Sequence, residues 1–344
     1  MLAVIALLAV VTGACARPGS VSTTAKPMDF YGATPSLADV RSLLGDSNWW
    51  PGPPSFGVRP LDSSSMPFQE KFHVITRFVH IGTAETFEIE YTLWNTTASA
   101  TTQMTNAQSA FGTSATGPKV GDQALYYGSM SSGAAPYVTE TFVRIGATTT
   151  TIILSLKDAF PTVAKLGKIA SKVTSRLKDV ISGKVRVSPL PTSDAAMLPP
   201  PGPDLTLLGS VKLPVEVFVV MLGTASPDAL AGILRAAGVD SILFGDYALD
   251  NDTHMEVRAG LFNFTSAQQA TAWIDALRGS SSLDQNGIAN FYDGTSGEYF
   301  TLLTAGSKAA VLVCRSTSSV EAASRACETP LYRVGPAWQL SLTG

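Results

Sequence analysis

The chain has 344 residues, room for two domains of ordinary size, with 45% hydrophobic and 15% charged residues, against about 25% charged in an average soluble protein. So apolar a chain excludes disorder as its main state. A formal charge of -3 and an isoelectric point near 5.7 exclude the basic footprint of a dedicated nucleic-acid binder.

Leu2 to Val11 are an unbroken apolar run, too short to span a bilayer as a helix, and they lead into Thr12-Gly13-Ala14-Cys15. This resembles the bacterial lipoprotein signal, the lipobox, although Met1 runs into Leu2 without the usual basic residue. The resemblance implies cleavage before Cys15, a diacylglyceryl group on its thiol, and a membrane-anchored protein on the outer side of the cytoplasmic membrane or in the outer membrane. An ordinary signal peptide cut nearby is the alternative. Residues 1–14 are then the signal, and 15–30, rich in Ser, Thr, Gly and Pro, a flexible tether.

Next comes a helix from Pro35 to Gly45, with Pro near its first turn and Gly at its end. The pair Trp49-Trp50 precedes Pro51-Gly52-Pro53-Pro54, where paired indoles either stack on a ligand or pack the first helix onto a sheet. His73 and His80 stand seven residues apart in one strand, hence on opposite faces, and cannot share a metal. Phe87 to Trp94 alternates as a strand and leads into a helix through Ala110. Gly121 to Tyr127 and a hairpin from Tyr137 to Leu156, turning at Gly146, follow. The helix Pro161 to Ser182 aligns Val163, Leu166, Ile169, Val173, Leu177 and Val180 on one face. Beside them Lys165, Lys168, Lys172 and Arg176 form a stripe, read as a solvated edge or as a contact for anionic headgroups or wall polymers.

Prolines crowd residues 188–204, expected as a linker between a module at 31–187 and another at 205–344. The second half repeats the first in order. Pro227 to Gly238 matches the first helix, Met255 to Phe262 with Ser266 to Leu277 the strand and helix, Gly287 to Tyr292 the short strand, and Tyr299 to Cys314 the hairpin. On that alignment Ile242-Leu243-Phe244 takes the place of Trp49-Trp50. Each half is therefore expected as an antiparallel sheet with helices on one face, an α+β module. The nearly continuous apolar run Val215 to Leu222 is expected as a strand covered on both faces, marking an interface that leaves a ligand groove between the modules.

With Cys15 lipidated, Cys314 and Cys327 remain as an even pair, expected to form a disulfide in an oxidising compartment. Asp250, Asp252 and His254, with Glu256 beyond, make either a weak ion loop, lacking the glycine such a loop needs, or a polar turn. Nucleophile-elbow, phosphate-loop and dinucleotide motifs are absent, and no metal or cofactor is implied. The leading expectation is an anchored, non-enzymatic binding or interaction protein for a small molecule or protein. The alternative is an anchored hydrolase with a Ser, His254 and Asp246 brought together in space.

Overall fold

The computed structural model describes residues 25–58, 70–83, 85–128, 135–184, 194–221, 226–249, 252–316 and 320–343. The lipobox with Cys15, and Asp250, lie outside them, as do the side chains of Asp252 and Thr253.

The expected tether gives way to structure before residue 30. Pro27 opens helix α1 (Pro27–Gly32), its preset φ suiting the first turn, and Lys26 N–H donates to Asp29 Oδ2 at 2.8 Å. Phe30 holds this short helix in place: it is fully buried against Phe72 and Tyr91, with ring centroids 5.3 and 6.0 Å away. Helix α2 (Leu37–Leu44) starts where Ser36 Oγ accepts Asp39 N–H at 3.1 Å and stops at Gly45, whose φ of 81° is left-handed.

The first sheet contains β1 (Trp49–Pro51), β2 (Ser55–Gly57), β3 (Glu70–His80), β4 (Thr86–Trp94), β5 (Gln123–Tyr127), β6 (Tyr137–Ile145) and β7 (Thr148–Leu156). Helix α3 (Thr97–Phe111) joins β4 to β5, and α4 (Val163–Ile181) follows β7. The second sheet contains β8 (Leu205–Pro214), β9 (Ser241–Leu249), β10 (Asp252–Asn263), β11 (Ala289–Asp293), β12 (Glu298–Ala305) and β13 (Lys308–Ser316). Its helices are α5 (Val215–Met221) and α6 (Pro227–Ala236) between β8 and β9, α7 (Ala267–Arg278) after β10, and α8 (Val320–Thr343) after β13. Every strand pairing is antiparallel. The orders β1-β3-β4-β7-β6-β5 and β8-β9-β10-β13-β12-β11 trace the same path, with β2 added beside β3. The protein is thus two α+β modules of one topology.

Local chemistry sets the shared parts. Thr96 and Ser266 cap α3 and α7 by accepting Ser99 N–H at 3.0 Å and Gln269 N–H at 3.2 Å. Gly146 and Gly306, at φ 55° and 60°, sit in the two-residue turns of the β6–β7 and β12–β13 hairpins, where a positive φ matches the strand twist.

Four details depart from expectation. The helices are not confined to one face of each sheet: α4 packs on Ile89, Tyr91 and Ile152, whereas α3 packs on Phe142 and Tyr127 from the other side. Likewise α8 covers Val257 and Leu312, while α7 covers Phe262 and Ala309 opposite. Polar residues between the apolar ones, such as Thr149 bonded to Trp94 Nε1 at 2.8 Å, gave these second faces a solvated look. The first helix match also fails, since α2 precedes edge strand β1 and α6 follows edge strand β8. Topology therefore pairs β1 with β8, and Ile242 to Phe244, lying in β9, with β3 rather than with Trp49-Trp50. The expected strand is a helix where described: Val215 to Met221 is helix α5, with Val215 and Val219 in the core under α6 and Val217 and Met221 facing the first module. A short apolar run has no period to separate a strand from a helix buried on two sides. Finally, the latter part of the linker packs on the second sheet: Leu198 is buried, Trp338 Nε1 donates to Met197 O at 2.8 Å, and Tyr247 OH donates to Pro199 O at 2.9 Å.

The modules pack together near α5, as the apolar run implies. Val79 of β3 clusters with Leu213 and Val217, flanked by Trp50 and Phe244, and Leu208 of β8 is buried in the first module's core.

Candidate functional site

A cavity of about 450 Å³ opens on the first module, between the end of α2, the β3–β4 turn and the start of α4. That is within the size range of small-molecule sites. The β3 ladder delivers His80 to its wall, and the capped end of α2 delivers Asp46. His80 is buried, with Nε2 3.1 Å from Asp46 Oδ2 and Nδ1 2.8 Å from Thr83 Oγ1. Asp46 also accepts Asn48 N–H at 2.7 Å; this bond and the His80 contact hold its carboxyl below the usual range. Trp49 stands edge-on to His80 at 5.4 Å and is only 2% exposed.

Carboxylate, imidazole and hydroxyl in this order resemble a hydrolytic relay, but the hydroxyl has a second acceptor. Thr83 donates its hydroxyl to Glu85 Oε2 at 2.8 Å, so Glu85 competes with His80 Nδ1 for the one hydroxyl proton. Glu85 in turn accepts Lys157 N–H at 2.8 Å. The set braces the turn against the segment leading into α4.

A second polar cluster fills the seam between the modules. Asp246 and Glu256 are fully buried. Tyr31 of α1 donates to Asp246, Arg315 and Arg258 pair with Glu256, and Phe56 N–H donates to Glu256 Oε1 at 2.8 Å. Burial and the neighbouring Glu256 push the Asp246 carboxyl well above the ordinary range, and burial with Asp246 does the same to the Tyr31 phenol. Among the described residues, Asp246 Oδ1 and Arg258 Nε are buried without a hydrogen-bond partner. In the first module the same ladder place holds the pair Arg77–Glu88 with its charges reversed. Glu88 lies eight residues before Thr96 and Arg258 eight before Ser266, and their cross-strand partners are Arg77 and Asp246.

The seam is therefore occupied by side chains where a ligand groove was expected, and the cavity lies on one module instead. The alternative triad is not assembled: Asp246 pairs in register with Arg258, four residues along β10 from His254. At about 3.3 Å per residue this is some 13 Å. His254 is exposed on β10, while Asp250 and the side chain of Asp252 lie outside the described residues. Trp50 is half-buried under the guanidinium of Arg41, 4.9 Å from its ring centre. The α4 stripe is divided: Lys172 pairs with Asp39 at 2.9 Å, Arg176 is half-buried, Lys165 lines the cavity, and Lys168 is exposed. Cys314 and Cys327 form the expected disulfide, Cα atoms 6.0 Å apart.

Asp46, Glu85 and Tyr31 were not foreseen as site residues, and Glu256 only as a third carboxylate beside His254. Asp46 had one signal, its place in Gly45-Asp46-Ser47-Asn48 after a helix; Glu85 and Tyr31 join partners up to 215 residues away and had none.

No family model matches this chain, and neither does any curated protein. Among solved structures it is similar to the extracellular domain of PknH from Mycobacterium tuberculosis, at 10% identity over 45% of this chain and 97% of that domain, with a TM-score of 0.33. A score so low carries no argument about fold or role; the topology above rests on strand register.

Proposed function

We propose that the protein is a lipid-anchored, extracytoplasmic binding protein without catalytic chemistry of its own, whose ligand site is the cavity of the first module. The observation that carries this reading is the cavity itself, walled by polar side chains already fixed to one another, as a preformed recognition site requires. The lipobox-like Thr12-Gly13-Ala14-Cys15 supports the anchor, and a Cys314–Cys327 disulfide suits an oxidising compartment. In this reading the membrane contact runs through Cys15. The α4 stripe adds at most Lys165 and Lys168, because Lys172 is engaged by Asp39.

Detergent phase partition of the protein from its native envelope is the test. The chain is expected in the detergent phase, and Cys15→Ala in the aqueous phase or secreted. Equal membrane retention of both would refute the anchor.

A further inference from the structure

Two charges on the cavity wall are left over from holding the fold together. Asp46 is engaged by Asn48 N–H and His80, and Glu85 by Thr83 and Lys157 N–H. Among the described residues, the Lys165 ammonium and the Asp158 carboxylate have no ion-pair or hydrogen-bond partner, although both line the cavity. Lys165 stands in the first turn of α4, a helix of 19 residues whose amino end also favours negative charge. Asp158 lies on the segment from β7 into that helix. Leu44, Leu156 and Phe160 supply apolar wall beside them.

We propose that this cavity binds a small zwitterion with an apolar body, of amino-acid to dipeptide size. The ligand carboxylate meets Lys165 and the amino end of α4, the ligand ammonium meets Asp158, and the apolar body lies against Leu44, Leu156 and Phe160. A ligand with a single charge satisfies one wall group and sets a like charge beside the other. The inference rests on the reading of this protein as a binding protein.

Titration calorimetry on the full anchored chain in detergent micelles tests it, using L-phenylalanine and leucyl-leucine as zwitterions. The comparison probes are 3-phenylpropionate, 2-phenylethylamine and glucose. Binding of at least one zwitterion is expected, with each singly charged or neutral probe at least about tenfold weaker, the equivalent of 1.4 kcal/mol. Lys165→Met and Asp158→Asn should each weaken the zwitterion by a similar factor, and Ala159→Trp, at an exposed wall position, should block it. Phenylpropionate, phenylethylamine or glucose binding as tightly as the zwitterions, with Ala159→Trp still blocking, would overturn the ligand class and leave the binding site standing. Failure of every probe to bind, or zwitterion binding indifferent to all three substitutions, would overturn this assignment of the cavity, while the anchor is judged separately by the Cys15→Ala partition.

Discussion

Asp246 carries an uncommon burden for one side chain. It is fully buried, one oxygen accepts from Tyr31, and a second buried carboxylate, Glu256, lies close by. Glu256 is better provided for, with two arginines and a backbone N–H. The Asp246 carboxyl therefore keeps its proton to higher pH when folded than the value near 3.9 of an unfolded chain. A raised pKa makes its contribution complete below about pH 4 and progressively lost as pH rises through the folded value. Asp246→Asn keeps an acceptor for Tyr31 and has no charge to bury. In thermal melts it should exceed the parent in Tm at pH 7.5, with the gap closing toward pH 4. A lower Tm for the variant at pH 7.5 would mean that Arg258 holds this carboxylate ionised.

Helix α8 illustrates how an element survives poor local chemistry. Pro330 and Pro336 lie inside it, each removing a backbone hydrogen bond and each costing about 3 kcal/mol in an isolated helix. Burial of Leu331, Trp338 and Leu342 against the second sheet offsets this, and the Cys314–Cys327 bond ties the helix to β13 across a separation of 13 residues. Closing so short a loop is worth about 3 kcal/mol in the unfolded chain. Cys327→Ala should lower stability in urea by roughly that amount and raise hydrogen exchange in α8 ahead of α4. Equal exchange in the two helices would show that packing alone secures α8.

At the scale of the molecule, the two modules share a dry patch and a charged seam. Val79, Leu213 and Val217 form the patch, and α1, which begins inside the expected tether, reaches from the first core to β8 and Asp246. Such an interface should hold the modules as one body in solution, so X-ray scattering should fit a single compact particle and unfolding should be one transition. Val217→Asp places a charge in the dry patch and should enlarge the radius of gyration while each sheet keeps its circular dichroism. An unchanged radius for that variant would show that the charged seam suffices to hold the modules.

Local patterns in the chain by itself determined a good deal. Two-residue turns at Gly146 and Gly306, the amphipathic face of α4, the strand-to-helix step at Thr96 and again at Ser266, and an even cysteine pair each depend on neighbours a few residues apart. Three matched segments of the two halves came from the same source, and with them the shared topology of the sheets. What only tertiary structure decided depends on residues far apart. Whether Val215 to Met221 is strand or helix turned on its burial on two sides, against α6 and against Val79. The second helical face of each sheet was hidden because Thr149 and similar polar residues are satisfied there by partners such as Trp94. The cavity was illegible because Asp46, His80 and Lys165 reach it from three elements, and the seam because Tyr31 meets Asp246 across the whole first module. A hydrogen bond acts over about 3 Å of space, and no pattern of residue types records which distant segments the folded chain brings that close.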